Sequence, residues 1–323
     1  MSKLTILLPD LQVAFFKRLE ELRKTLLLDA LLETVSTGDI SQIDSELGAL
    51  VAKRSLQKLA GWGMRGELLF AVPYVLRKNP RLLGYYRLLL GFSQKQFYGL
   101  DHGFAPFKTM EEKGLMSQHS RDNLEELCKS ICGSADFLVG SLENLTEKSL
   151  HELTLLTLGP QLRGGVLNVY GAQAVAIVFG LIKAIVGDNM MSHDSQSIRV
   201  RNAAGRVVEI DFACDPDIRI REQLPSNRHR NLVAIEIKGG ADRSNIHNRL
   251  GEAEKSHQKA RKQGFVECWT IIKVSGLDAS VARKESPSTD RFYDLNNLTK
   301  SKSEDLADFI EHLRSILGIS DSR

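Results

Sequence analysis

The stretch Leu232–Gly240 carries an acid and a base at a spacing that suits catalysis. It reads LVAIEIKGG, and its run of apolar, β-favouring residues predicts a strand over Asn231–Lys238. Glu236 and Lys238 lie two positions apart, so their side chains point to the same face of that strand. Burying unpaired charges is costly. The two residues are therefore either a structural salt bridge or part of a functional site.

A second acidic segment lies upstream of this strand. Val207–Asp217 reads VVEIDFACDPD, which predicts another strand with Asp211 inside it. If the two strands are neighbours, Asp211 lies beside Glu236 and Lys238. One or two carboxylates, completed by water and phosphate oxygens, are what Mg²⁺ takes in proteins. A lysine next to such an ion can hold an attacking water or stabilise charge on a phosphate, so the set suits metal-assisted phosphodiester hydrolysis.

The elements that would position these residues differ between the two ends of the chain. Apolar residues at helical spacing predict a mainly helical region over 1–190, beginning with a helix over 9–35. Strand and helix patterns alternate over 191–323, which predicts an α/β core with helices packed on a sheet. The predicted elements of this core are strands Ser197–Arg201 and Arg206–Cys214, the second of which Asp217–Arg221 could continue, a strand Asn231–Lys238, a helix Asn245–Lys262 ended by Gly264, a strand Phe265–Val274, a polar loop over 276–304 and a helix Glu304–Leu317.

Charge and composition narrow the class of protein. Residues 195–263 hold 14 Lys and Arg against 9 Asp and Glu, a local excess of +5 in a chain whose net charge is +3. Such an excess is typical of a face that binds a polyanion, although a solvated surface has the same composition. Four cysteines do not make a disulfide framework in 323 residues, and no apolar run reaches membrane-spanning length. We therefore expect a protein of the reducing cytoplasm.

The pattern of Asp211 followed by Glu236-Ile237-Lys238 resembles the PD-(D/E)XK nuclease core. More narrowly, Val208–Asp217 and Ala234–Asp242 (AIEIKGGAD) are similar to type II restriction endonucleases, most of all the XcyI group with Cfr9I and XmaI, and in the core to BsoBI. The similarity extends over segments between about 60 and 275, including LGYYRLLLGFSQKQF at Leu83–Phe97, PQLRGGVLNVYG at Pro160–Gly171 and IHNRLGEAEKSHQK at Ile246–Lys259.

This resemblance implies a fold, a reaction and partners. The implied fold is a mixed β-sheet flanked by helices, with the helical region contributing to a DNA clamp. The implied enzyme is a homodimer that uses Mg²⁺ to cut both strands of CCCGGG in double-stranded DNA, leaving 5′ overhangs. A cognate DNA methyltransferase would belong to the same restriction-modification system, without a stable complex.

The resemblance also implies roles for individual residues. Asp211 and Glu236 would bind the metal ion, and Lys238 would orient water or stabilise charge. The proline of the motif does not precede Asp211 but stands at Pro216, which leaves Asp217 as the alternative acid. We favour Asp211 because it lies inside the strand, whereas Asp217 follows the break.

Further residues have a functional and a structural reading. Asp242 would orient a neighbour in the site or cap the next helix. Each of His247 and His257 would either support the site or be an ordinary core or surface histidine. Arginine is the residue that most often reads guanine, although phosphate contacts are at least as common. The candidate DNA-binding residues are Arg219, Arg221, Arg228, Arg230 and Arg243 in or near polar loops, with Arg163 and Asn168 in the Gly-rich segment that otherwise serves as a loop before a core helix Ala172–Ala184.

Two other functions fit the same residues. A repair or structure-specific nuclease would keep the fold and the chemistry but act on DNA ends or junctions. A non-catalytic DNA-binding protein would use Glu236 and Lys238 as a structural ion pair. Discrete bands from plasmid DNA exclude the first alternative, and cleavage under any divalent ion excludes the second.

Overall fold

The computed structural model describes residues 9–99, 102–212, 215–226, 228–240, 245–273 and 279–319. The chain forms two compact units, Met1–Val166 and Leu167–Arg323. The sequence patterns predicted a boundary near 190. The difference arises because the C-terminal half of one long helix, Glu147–Val186, packs with the sheet of the second unit.

The first unit is helical, as predicted. Its core is built from leucines and aromatic side chains that recur at helical spacing, and Tyr85 and Tyr86 are fully buried. The predicted helix over 9–35 is two helices, because the chain turns at Leu26–Leu27 and buries both side chains. The helices are α1 (Asp10–Thr25), α2 (Leu28–Ser36), α3 (Ile40–Leu50), α4 (Lys53–Gly61), α5 (Pro73–Lys78), α6 (Leu83–Leu89), α7 (Gln94–Phe97), α8 (Lys108–Lys113), α9 (Gln118–Asp122), α10 (Leu124–Ser141) and α11 (Glu147–Val186).

Helix α11 runs through the segment that was expected to be a Gly-rich loop. Pro160 lies inside it and lacks the N–H that would bond the preceding turn. Beyond residue 167, Ala174, Val178 and Ile182 recur every four residues and are fully buried against the sheet. Among the described helices α11 has the length and apolar composition to cross a membrane, which is weak evidence because helices that pack on a sheet pass the same test.

The second unit is a seven-stranded mixed sheet flanked by helices, which confirms the predicted α/β fold class. Strand order follows the chain, with antiparallel pairing from the first to the fifth strand and parallel pairing from the fifth to the seventh. The strands are β1 (Met190–His193), β2 (Ser197–Arg201), β3 (Val207–Phe212), β4 (Ile218–Gln223), β5 (His229–Lys238), β6 (Glu267–Ile272) and β7 (Arg291–Asp294), and the helices are α12 (Ile246–Lys262), α13 (Ala279–Glu285), α14 (Leu295–Leu298) and α15 (Glu304–Leu317).

The two faces of this sheet have different partners. The C-terminal half of α11 and helix α15 cover one face, where Val233, Ile235 and Phe309 share a core. Helix α12 covers the other face over β5 and β6, where Ala234 and Ala260 are packed together. Gly264 ends α12 with a φ of 85°, a conformation that favours glycine, as the sequence predicted.

Two sequence predictions about this unit are wrong. The segment Asp217–Arg221 does not continue the preceding strand, because β4 pairs antiparallel with β3 and Phe212 lies opposite Ile218. The polar stretch over 276–304 is not all loop, because it contains α13, β7 and α14. These elements are seven residues or fewer, too short for their periodicity to stand out from turn-forming residues.

Candidate active site

Strand β5 brings Glu236 and Lys238 to the face that α12 covers. Its side chains alternate, so Val233, Ile235 and Ile237 enter the core on the opposite face. Lys238 Nζ donates a hydrogen bond to Glu236 Oε1 at 2.8 Å. Glu236 is buried, and Lys238 is the last residue of the strand.

The acid that β4 brings to this pair is Asp217. Ile218 is paired with Ile235 in antiparallel register, so Asp217 lies opposite Glu236. Asp217 Oδ2 accepts a hydrogen bond from the Ile237 N–H at 2.7 Å. Burial, reinforced by the negative charge of Glu236, raises the pKa of Asp217 to about 6. Two carboxylates are thus held where their mutual repulsion is felt, which is the condition that a bound cation relieves.

Asp211 does not lie beside Glu236 and Lys238, contrary to the sequence-based expectation. It is paired with Arg219 of β4, and Arg219 is in turn paired with Ala234 of β5. One strand therefore separates β3 from β5, and two strand spacings amount to about 10 Å. Asp211 Oδ2 instead accepts from Arg221 Nη2 at 2.6 Å. The expectation failed because it took β3 and β5 to be neighbours.

Helix α12 adds side chains that the sequence patterns did not single out. Ser256 Oγ donates to Glu236 Oε2 at 2.9 Å, and Glu252 Oε2 lies 3.3 Å from Lys238 Nζ. Lys259 Nζ forms an ion pair with Asp215 at 3.4 Å. Positions 252, 256 and 259 share one helical face. That polar spacing, next to the apolar stripe of the same helix, was the signal available in the sequence.

The donor set fits a divalent cation that keeps most of its water. Asp217 and Glu236 are carboxylates at opposite positions of neighbouring strands, and Mg²⁺ is commonly bound by one or two carboxylates. In the described part of the chain, no group of three or more His, Cys, Asp and Glu side chains is placed to hold a metal ion, so water and phosphate oxygens would have to complete the shell. Burial disfavours a charged Lys238, but the carboxylates of Glu236 and Glu252 outweigh it and raise its pKa, which keeps the side chain an ammonium.

The candidate supporting residues have different environments. His257 is fully buried, its Nε2 lies 2.8 Å from Thr270 Oγ1, and burial lowers its pKa, so it is a neutral core histidine. His247 is exposed and paired with Glu285. Asp242 lies outside the described residues.

The candidate DNA-binding arginines fall into separate groups. Arg219 and Arg221 lie on the same face of the sheet as Glu236, about a third and a quarter exposed, and the Nε atoms of both are buried without a hydrogen-bond partner in the described structure. Arg228 and Arg230 are exposed near the start of β5, and Arg230 is about 26 Å of strand away from Lys238. Arg163 and Asn168 are exposed on α11, and Arg243 lies outside the described residues.

The first glycine after Lys238 allows a close approach between β5 and α11. A Cβ on Gly239 would lie 2.6 Å from Ala174 Cβ and 2.7 Å from the Tyr170 carbonyl oxygen. A side chain at this position would therefore push the strand end and the helix apart. The glycine fixes where the strand that carries Glu236 and Lys238 ends.

Comparisons with known proteins show which proteins the whole chain is similar to. The sequence model of the XcyI restriction endonuclease family matches residues 16–320. The type II restriction enzyme XcyI of Xanthomonas campestris pv. cyanopsidis is 50% identical over 315 residues, which cover 96% of this chain and 95% of the relative. The type II restriction enzyme Cfr9I of Citrobacter freundii is 50% identical over 317 residues, which cover 97% of this chain and 96% of the relative.

Proposed function

Since the chain belongs to the XcyI family of type II restriction endonucleases, we propose that it uses Mg²⁺ to cut both strands of the palindrome CCCGGG. Enzymes of this family are site-specific deoxyribonucleases that act on double-stranded DNA, and the family implies a divalent metal. The finer statements are ours: the ion is Mg²⁺, the target is the one implied by the sequence resemblance, and cutting leaves 5′ overhangs with 5′-phosphate ends.

Asp217 and Glu236 would hold the metal ion in this proposal, and Asp217 takes the role first considered for Asp211. A divalent ion held there would supply activation of a water molecule and neutralisation of the charge that develops on the scissile phosphate. Lys238 keeps its ammonium next to the same carboxylate, where it can hold the attacking water or donate to a phosphate oxygen. The observation that carries the assignment is the convergence of Asp217, Glu236 and Lys238 from two paired strands.

Arg219 and Arg221 are the arginines that we favour for DNA contacts. They share the sheet face of the site and have Nε–H groups without a partner in the described residues. Asp211, bonded to Arg221, would then hold the arginines in position rather than bind metal. Arg163, Asn168, Arg228, Arg230 and Arg243 remain proposed contacts, best suited to the phosphate backbone.

The proposal includes a homodimer in the cytoplasm. A two-fold dimer would present the same site to each strand of a palindrome. A cognate methyltransferase of the same system would protect host DNA without forming a stable complex with this enzyme. Sedimentation of the protein with and without a CCCGGG duplex tests the dimer.

The test of the reaction is incubation with a long DNA of known sequence, with Mg²⁺ and with EDTA. We expect discrete bands that require Mg²⁺, and sequencing of the ends gives the target, the overhang and the terminal phosphate. A smear would indicate a non-specific or structure-directed nuclease. Intact DNA with every divalent ion would leave Glu236 and Lys238 as a structural ion pair.

Substitution of the lysine separates binding from cutting. Lys238→Ala removes the ammonium but leaves Asp217, Glu236 and the arginines in place. We expect cleavage to be lost while a CCCGGG duplex is still bound, as measured by fluorescence anisotropy. Cleavage at the wild-type rate would contradict the assignment of this lysine.

A further inference from the structure

Helix α12 holds a carboxylate against the lysine of the site. Lys238 Nζ lies between two acids, 2.8 Å from Glu236 Oε1 and 3.3 Å from Glu252 Oε2. The two acids differ in setting, because the Glu236 side chain is 11% exposed and that of Glu252 is 65% exposed. One ammonium is therefore shared between a fixed, buried carboxylate and a carboxylate at the open rim.

The contacts of Glu236 create a competition for its oxygen atoms. Its Oε2 accepts from Ser256 Oγ at 2.9 Å, and its Oε1 accepts from Lys238 Nζ at 2.8 Å. A cation bound by this carboxylate must share or displace these donors. Each donor has a second acceptor, because Ser256 Oγ lies 3.4 Å from Asp215 Oδ1 and Lys238 Nζ lies 3.3 Å from Glu252 Oε2. The lysine is the donor that can move, because its side chain is long and flexible whereas the short Ser256 side chain is buried.

The backbone under Glu252 is rigid although its side chain is exposed. Leu250 and Ala253, which flank it in the helix, are fully buried, and Leu250 packs in one apolar cluster with Ile272 of β6. The backbone of Glu252 is therefore held close to the end of β5. Its exposed side chain has the rotamer freedom to follow a small displacement of the ammonium.

We propose that Glu252 is a positioning residue that receives the Lys238 ammonium when a divalent cation occupies Glu236. The inference rests on the proposed function, because it assumes that Glu236 binds metal. Without Glu252, Glu236 is the one carboxylate that pairs with the ammonium in the described structure. A cation that binds Glu236 would then displace the ammonium with no second carboxylate to receive it. Glu252 acts through Lys238 and has no contact with the cation.

The first test is titration of the DNA-free protein with Mn²⁺ alone, followed by electron paramagnetic resonance. Glu252→Gln should weaken the affinity for Mn²⁺ by about tenfold, the lower end for residues that support metal ligands. In a Lys238→Met background the same substitution should change the affinity by less than about twofold, because the competing ammonium is gone. Glu311→Gln on α15 is the matched control, since Glu311 is exposed on a helix of the opposite sheet face.

The second test separates positioning from general loss of structure. With saturating Mg²⁺, Glu252→Gln should lower kcat on a CCCGGG duplex by about tenfold with KM nearly unchanged, and Glu252→Asp should restore part of kcat. An affinity for Mn²⁺ equal to that of wild type in Glu252→Gln would overturn the proposal. An equal loss in both lysine backgrounds would also overturn it and make Glu252 a direct metal ligand. If the wild-type protein neither bound Mn²⁺ nor cut DNA, the proposed function itself would fail, which is a different result.

Discussion

Replacement of Asp217 by asparagine should stabilise the metal-free protein while it abolishes cleavage. The substitution removes one of two carboxylates that repel each other and keeps an oxygen that can accept the Ile237 N–H. Two buried carboxylates that repel each other cost folding stability when no cation lies between them. Activity and stability should therefore change in opposite directions at this one position.

The size of the effect follows from the pKa of Asp217. Its ordinary value is 3.8 and its value in the folded protein is about 6. A pKa that is raised on folding contributes stability at acidic pH that is lost as the pH rises through the folded value. Each unit of difference between the folded and unfolded pKa corresponds to about 1.4 kcal/mol. The wild type should therefore lose about 3 kcal/mol of folding stability between about pH 4 and pH 6, and the variant should not.

Chemical denaturation in EDTA measures this difference. The chain has two tryptophans, and a Trp62→Phe background leaves Trp269, which is fully buried in the sheet core, as the reporter. The free energy of unfolding of Asp217→Asn should be higher than that of its parent by up to about 3 kcal/mol at about pH 8 and equal to it at about pH 3.5. Added Mg²⁺ should stabilise the parent, by about 2.7 kcal/mol at 100 times Kd, and leave the variant unchanged.

Asp211→Asn is the control that separates the two acids. It removes the nearer of two carboxylates beside Arg221, the other being Glu209 at 3.6 Å, and the side chains of Asp211 and Arg221 are about a quarter exposed. We therefore expect a loss of about 1 kcal/mol at neutral pH and a continued response to Mg²⁺. The reasoning is refuted if Asp211→Asn abolishes the Mg²⁺ response and cleavage while Asp217→Asn retains them. That result would restore Asp211 as the metal ligand.

Three further substitutions test the surroundings of the site. Ser256→Ala should weaken Mn²⁺ binding by about 10-fold to 100-fold, because the Glu236 carboxylate loses the hydroxyl that orients it, and Ser256→Thr should recover most of the affinity in the same titration. Burial holds the pKa of His257 below its ordinary 6.5, so the unfolded chain takes up a proton that the folded protein does not, and the wild type loses stability as the pH falls from about 7 to about 5. His257→Gln should make this loss smaller in denaturation experiments. Gly239→Ala should destabilise the protein by about 1–3 kcal/mol through a clash with Ala174, measured by the denaturation midpoint, whereas Gly251→Ala in an open part of α12 should not.

Much of the fold could be predicted from the sequence where the signal is local. The alternation in β5 identified the shared face of Glu236 and Lys238, and the apolar stripe of α12 and the glycine after it gave that helix within one residue at each end. The short elements between residues 276 and 304 could not be predicted, because four to seven residues give too few repeats of a helix or strand period.

The sequence by itself determined that a glutamate and a lysine project together from the end of a buried strand. Side chains alternate between the two faces of a strand, so residues two positions apart point to the same face. It did not determine which acid meets them. That choice depends on the reversal of the chain between β3 and β4, which inserts β4 beside β5 and brings Asp217 rather than Asp211 opposite Glu236. The approach of Glu252 and Ser256 depends on how α12 packs across the same face. Strand adjacency and helix docking are set by contacts between residues distant in the chain, so only the tertiary structure decided them.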